Sequence, residues 1–435
     1  MRARSRPPTE LIAFAIVFAG FLAGGIASGG GPDGTPGGGE AARAAVREVA
    51  PIAHRVERIR GLRFKHLPRP VVVTPGQAAA DQLRQLDRGY GPRRRHADEE
   101  LLELLGLVPP GTDIRSVASD VSSGEVAGYY DTERGRLAIV DAPATRAGVL
   151  TEITLAHELT HALEDQRFGL EEKAGAGADD GSSAYSAMVE GTATAVMSEY
   201  ARRYVNPTAL LGASLGSLGE AEAGAKSVPP YIQRTLEFSY TAGQRWVEAL
   251  RRGRGWRRVN AAERRRPPDS TEQVIHPDKY LRRERPAPAP IADPGLGRGW
   301  RRATRGTMGE LDTRELLRLG TDDASATTAA AGWGGGRYAM WTNARAARGC
   351  ARPCRAADVL VLRWTWDTAR DAREFDTVLP LYLAKGLHAG EAGAARWRVG
   401  SGGAAIGVRG LTTTLAFAPS PPAAERLAAR AARGP

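Results

Sequence analysis

The chain has 435 residues, 42% hydrophobic and 25% charged, long enough for more than one core and too apolar for a disordered polymer. Two cysteines exclude a disulfide-stapled scaffold. The formal charge is +11, but only five of the 60 basic residues are lysine and 52 residues are glycine. The excess therefore reads as the arginine bias of a GC-rich genome before it reads as a nucleic-acid footprint.

The amino terminus is basic through Arg2, Arg4 and Arg6, and Leu11 to Ala27 is an almost uncharged apolar run. That order matches a secretory signal peptide over residues 1–27. The run is also near the lower length limit of a membrane span, so an uncleaved amino-terminal anchor is the alternative. Either way, the bulk of the chain is expected outside the cytoplasm, secreted or anchored. Residues 28–42 are Gly/Pro-rich and read as a linker.

A helix is expected from Ala41 to about Arg60, then a short strand in Arg69 to Pro75 and a helix from Gly76 to Asp87. Glu99 to Leu107 is amphipathic and stopped by Pro109 and Pro110. Ala147 to Phe168 reads as one helix ending at Gly169. In it Leu155, Leu159, Ala162, Leu163 and Gln166 form one stripe, which predicts a core face with the histidines turned to a cleft.

That helix carries His157-Glu158-Leu159-Thr160-His161. Residues i and i+4 share a helix face, so His157 and His161 can bind one metal ion. Glu158, about 100° around the helix, can act on water beside that ion. This is the geometry of a zinc hydrolase, two ligands and a general base within one turn. Catalytic zinc takes three protein ligands, so a third is expected downstream.

Ser183 to Tyr200 is a second helix, rich in small residues, with Glu190 among apolar neighbours. An unpaired carboxylate there is costly, and binding a cation offsets that cost. The alternatives are exposure on the outer face or pairing with Arg202 or Arg203. Glu171 to Gly181 reads as the loop joining the two helices.

The His-Glu-Leu-Thr-His and Val-Glu-Gly-Thr-Ala segments together resemble the gluzincin group of zinc metallopeptidases. Val126 to Val140 is similar to the hairpin that precedes the zinc helix in zincins, where an edge strand pairs with extended substrate. Pro268 to Tyr280 and Ala331 to Tyr338 resemble segments of uncharacterised exported bacterial proteins with this zinc motif. The resemblance implies one Zn2+ held by His157, His161 and Glu190, with Glu158 as general base in peptide-bond hydrolysis. It implies an α+β, zincin-like fold, with a small mixed sheet, the zinc helix and a following helix bearing the Glu ligand. Where some gluzincins place a supporting Asp, this chain has Thr194.

His276, Tyr240, Tyr185 and Tyr200 are unranked candidates for stabilising the developing oxyanion, although a structural role at a turn also suits His276. His54, His66, His96 and His388 have no partner at ligand spacing. Two alternatives to an exported peptidase stay open. One is a binding or scaffold protein on the same fold, and the other is a hydrolase of a non-peptide amide in the cell envelope.

The expected organisation is a metallopeptidase-like domain over 43–285, a Pro/Arg-rich linker over 286–304 and a smaller α+β unit over 305–435. Pro229 to Tyr280 is helical and Arg-rich; Pro286 to Pro294 is a linker or surface strap. Asp358 to Trp366, Arg396 to Val399, Ala404 to Val408 and Leu411 to Phe417 read as strands, with a helix from Asp371 to Lys385. Cys350 and Cys354 are expected to form a local disulfide. The expected partner is a peptide or protein substrate, and no nucleic-acid motif occurs. The arginine runs Arg251 to Arg258 and Arg264 to Arg266 read as a solvated face, with anionic lipid or cell-wall polymer as the alternative contact.

Overall fold

A computed structural model describes residues 38–123, 127–141, 148–170, 179–210 and 228–433. The expected signal or anchor segment, most of the linker after it and the loop over 171–178 lie outside the described residues. Among the described residues, no helix is long and apolar enough to cross a membrane. The fold is mixed α+β, in two compact units that part at Pro268 and Asp269.

The first unit holds α1 (Gly38–Arg60), β1 (Pro70–Val73) and α2 (Pro75–Gly89). Thr74 caps α2 in a reciprocal capping box with Gln77, and Pro75 occupies the first helical position. The next helix, α3 (Pro92–Leu104), belongs to the second unit. The first unit resumes with α4 (Ile114–Ser123) and the hairpin β2 (Gly128–Asp131) and β3 (Arg136–Val140). Then come α5 (Val149–Phe168), α6 (Asp180–Tyr204, in this unit from Ser182), α7 (Pro230–Arg251) and α8 (Trp256–Arg265).

Its sheet has the order β1-β3-β2, with β1 parallel and β2 antiparallel to β3, which leaves β2 at an edge. Ile52, Ala53 and Val56 of α1 pack with Leu155, Leu159 and Leu163 of α5 and Val196 and Tyr200 of α6. The stripe expected on α5 is present, but the middle of the helix has no open side. Thr151 and every residue from Ile153 to Glu164 are buried. The expected cleft beside the histidines is thus corrected to a closed interior, because neighbouring elements cover the helix on its polar side too.

The second unit contains α9 (Thr271–Ile275), α10 (Pro277–Arg282), β4 (Trp300–Gly306), α11 (Glu310–Arg318) and α12 (Asp323–Ala330). It continues with β5 (Trp333–Asn343), β6 (Asp358–Trp366), α13 (Ala369–Leu381), β7 (Gly390–Gly393) and β8 (Arg396–Val399). It ends with β9 (Gly402–Arg409), β10 (Thr412–Ala418) and α14 (Pro421–Ala432). A seven-stranded antiparallel sheet runs β4-β5-β6-β10-β9-β8-β7.

Alternation along β6 sends its side chains to two helical layers. Val359 and Val361 pack with Ala424, Leu427 and Ala428 of α14. Trp364 and Trp366 stack on Phe375 of α13, at 5.0 and 4.3 Å between ring centroids. Residues Pro286 to Pro290 form a strap on this sheet: Ala287 N donates to Gly334 O, and Arg363 Nη1 donates to Pro290 O. Cys350 and Cys354 are bonded.

Candidate metal centre

The α5 helix is built from good helix formers and closed by Gly169 in the left-handed conformation, whose N–H returns to Asp165 O. Its i, i+4 spacing brings the rings of His157 and His161 to 4.7 Å between centroids. The α6 helix brings Glu190 against them. His157 Nε2 lies 3.0 Å from His161 Nε2 and 3.2 Å from Glu190 Oε2, and His161 Nε2 lies 3.5 Å from Glu190 Oε1. All three side chains are buried.

Glu190 is therefore neither exposed nor paired with Arg202 or Arg203; Arg203 pairs with Glu199 instead. Three Lewis-basic atoms point at one spot. Ligand bonds of about 2.0–2.2 Å in a tetrahedral site separate the ligand atoms by about 3.3–3.6 Å, close to the three distances here. Two imidazoles and one carboxylate are a donor set that suits zinc. Among the described residues a second convergence, Glu272, Glu284 and Asp367 in the second unit, already surrounds the Lys279 ammonium.

The electrostatics of the protein groups alone point the same way. Burial would raise the Glu190 carboxyl, but both histidines outweigh it and hold it at about 2. Burial lowers His157. Burial also opposes charge on His161, yet Glu190 prevails and holds that imidazole up at about 9. The pocket favours an ionised carboxylate with one compensating positive charge, which a divalent cation would supply in place of the proton.

Glu158 points toward the sheet. Its Oε2 accepts from Tyr130 N on β2 at 2.8 Å, while Oε1 is buried with no hydrogen-bond partner among the described residues. Burial pushes its carboxyl up to about 8, opposed by His161. The β2 edge strand thus fixes one oxygen of the expected base and leaves the other available. The expected hairpin is present, and its Tyr130 amide is a contact that residue types alone give no signal for.

Of the four oxyanion candidates, Tyr185 donates to Leu170 O at 2.8 Å. Tyr200 donates to Glu152 Oε1 at 2.6 Å and accepts from Arg55. His276, in the second unit, is held by Glu310 at 3.0 Å. Only the Tyr240 ring lies beside a histidine of the site, 6.1 Å from His157 between centroids.

Its placement follows from two glycines. A Cβ on Gly191 of α6 would fall 2.1 Å from the Gly243 carbonyl carbon, and one on Gly243 of α7 would fall 2.0 Å from Ala187 O. Neither position tolerates a side chain, so the two backbones touch. Tyr240, one turn before Gly243, is carried to the metal-ligand face.

The Nδ1 atoms of His157 and His161 and the Thr194 hydroxyl are buried without hydrogen-bond partners among the described residues. Thr194 does not take the supporting place of an Asp. A buried charge cluster absent from the sequence expectations lies further along α5. Arg60 Nε donates to Glu164 Oε1 at 3.0 Å and Arg60 Nη2 to Glu263 Oε2 at 2.9 Å, with all three side chains fully buried. Nothing in the residue spacing of 60, 164 and 263 signals it.

Residues 298–428, within the second unit, match a family described as a domain of unknown function (DUF8575). No curated protein matches the chain. It is similar to a crystal structure from Chloroflexus aurantiacus, a candidate hydrolase with a novel fold, at 17% identity and a TM-score of 0.38. That likeness spans 63% of this chain and 96% of the other; at such a score it assigns neither fold nor activity.

Proposed function

We propose that the chain is a zinc-dependent hydrolase of peptide bonds, with a zincin-like first unit acting outside the cytoplasm. The observation that carries the reading is the convergence of His157 Nε2, His161 Nε2 and the Glu190 carboxylate within 3.0–3.5 Å of one another. Those three side chains would hold the ion. Zinc, when bound, supplies Lewis acidity to a carbonyl and makes water a better nucleophile at neutral pH.

The chain's own groups do the rest. Glu158 takes a proton from the attacking water at Oε1, held in place by the Tyr130 amide on Oε2. It then returns that proton to the leaving amine. Tyr240, beside His157, is the group best placed to donate to the oxygen that gains charge as the carbonyl becomes tetrahedral. β2 is the edge strand of its sheet, the place where an extended peptide would align by main-chain pairing. Its four residues are buried, so pairing there would require the covering segments to move aside.

The test compares zinc content and peptide-library cleavage in wild type, Glu158→Gln and Glu190→Ala. Glu158→Gln is expected to keep zinc and lose at least about 100-fold in kcat, the contribution of a positioned base. Glu190→Ala is expected to lose zinc affinity at least about tenfold. Equal turnover in wild type and Glu158→Gln would sink the mechanism.

A further inference from the structure

The α8 helix divides its residues by side. Val259, Ala262 and Glu263 are buried. At 100° per residue, Arg257, Arg258, Arg264 and Arg265 fall within about 120° on the other side. Arg257, Arg264 and Arg265 are exposed and Arg258 is half-buried. The stretch 251–266 carries eight arginines and one carboxylate, Glu263, which is buried against Arg60.

Contacts extend the basic face onto two further elements. The Arg264 guanidinium lies 5.5 Å over the Phe168 ring at the end of α5. Its neighbour Arg167 is exposed and donates to Arg63 O after α1, and the Lys65 amide joins Gln166. Among the described residues, Glu57 is paired with Arg63, and Glu199 with Arg203 and Arg251. Arg257, Arg258, Arg264, Arg265, Arg167 and Lys65 have no ion-pair partner among the described residues.

We propose that this face docks on an anionic phospholipid surface. Guanidinium groups bind phosphate in a bidentate fork, and a helix side bearing four of them suits a broad array of headgroups better than a single bound anion. The aromatic rings nearby are not free to stack bases, as a single-stranded nucleic acid requires. Trp256 is sandwiched between Arg60 and Arg251, and Phe168 is buried beneath Arg264. The basic start and apolar run of residues 1–27, expected to be an export signal or a membrane anchor, agree with a membrane as the partner.

The experiment uses the full chain and vesicles of phosphatidylcholine, with or without about 30% phosphatidylglycerol, at about 0.1 M salt. Wild type is expected to prefer the anionic vesicles, and to lose that preference as salt rises. The variant R257Q/R258Q/R264Q/R265Q is expected to lose at least tenfold in partition onto anionic vesicles, with binding to neutral vesicles unchanged. The smaller R257Q/R264Q change is expected to lose part of that effect and guards against misfolding of the larger variant. The control R298Q/R301Q/R302Q/R305Q removes the same charge from exposed positions in and beside β4 and is expected to change partition less than threefold. Equal losses in the two quadruple variants overturn the face in favour of net charge. No anionic preference in wild type, or the same four-arginine dependence for DNA without vesicle binding, overturns the lipid.

Discussion

At the residue scale, two buried groups make contrasting claims. Tyr240 stands beside His157 with its ring buried. If its hydroxyl meets charge that develops only in the transition state, Tyr240→Phe should lower kcat by about 100-fold or more while leaving zinc content and thermal stability unchanged. A change confined to KM would remove it from that role. Arg60 touches no ligand of the site, and its guanidinium lies between Glu164, Glu263 and the Trp256 ring. Burial raises both carboxyls, and the Glu263 charge raises Glu164 further, against the pull of Arg60. One cation therefore serves two acids, and one acid can hold a proton. Arg60→Met should cost about 3–5 kcal/mol, because two acids lose their shared cation. Glu263→Gln imitates the protonated form and should cost about 1 kcal/mol. Denaturant midpoints for the two variants decide, and equal losses would mean that both acids are ionised.

At the element scale, the α6–α7 crossing connects sequence to site. Gly191 and Gly243 sit where the backbones touch, so Gly243→Ala must separate the helices or expel Ala187. Overpacking of this kind costs about 1–3 kcal/mol. Here it should also weaken zinc binding at least about tenfold, since Glu190 adjoins Gly191. Zinc affinity that survives a measured loss of stability would show that the ligands are placed independently of this crossing.

The same glycines mark the limit of what residue order reveals. The α5 helix, its Gly169 stop, the hairpin, β6, and the β8 to β10 run are legible because each is set by local periodicity and turn chemistry. The convergence on Glu190 was readable as a carboxylate in an apolar helix. Gly191 and Gly243 are 52 positions apart, and only the folded chain gives them a common cause. Likewise, the glycines in Trp333 to Tyr338 belong to strand β5. A Cβ at Gly335 would meet Ala287 O at 2.1 Å, and one at Gly336 would meet Met308 O at 2.2 Å. Strand propensity disfavours them there, and close approach by the strap and the β4–α11 connection requires them.

At the scale of the whole molecule, the chain buries a set of carboxyl groups that prefer to be neutral. Outside the His157, His161 and Glu190 cluster, burial raises Glu164, Glu263, Asp180 and Glu310, and it pushes Glu272 and Asp358 up to about 7. For a raised acid the folded state holds its proton to higher pH than the unfolded chain does. Its stabilising effect is full below the unfolded value and is lost as pH rises through the folded one. For Asp358 the window runs from 3.8 to about 7. The group starts the interior strand β6, accepts from Thr342 Oγ1 at 2.8 Å and shares a hydrogen bond with Glu100 of α3, while Arg355 opposes the shift. The chain should therefore be more stable near pH 5 than near pH 7, although its net charge is more positive at the lower value. Asp358→Asn keeps the acceptor and removes the titration, so it should cancel on the order of 2 kcal/mol of that decline. Urea midpoints at the two pH values in wild type and the variant measure it. If Asp358→Asn keeps the full slope, the proton is not held between β6 and α3.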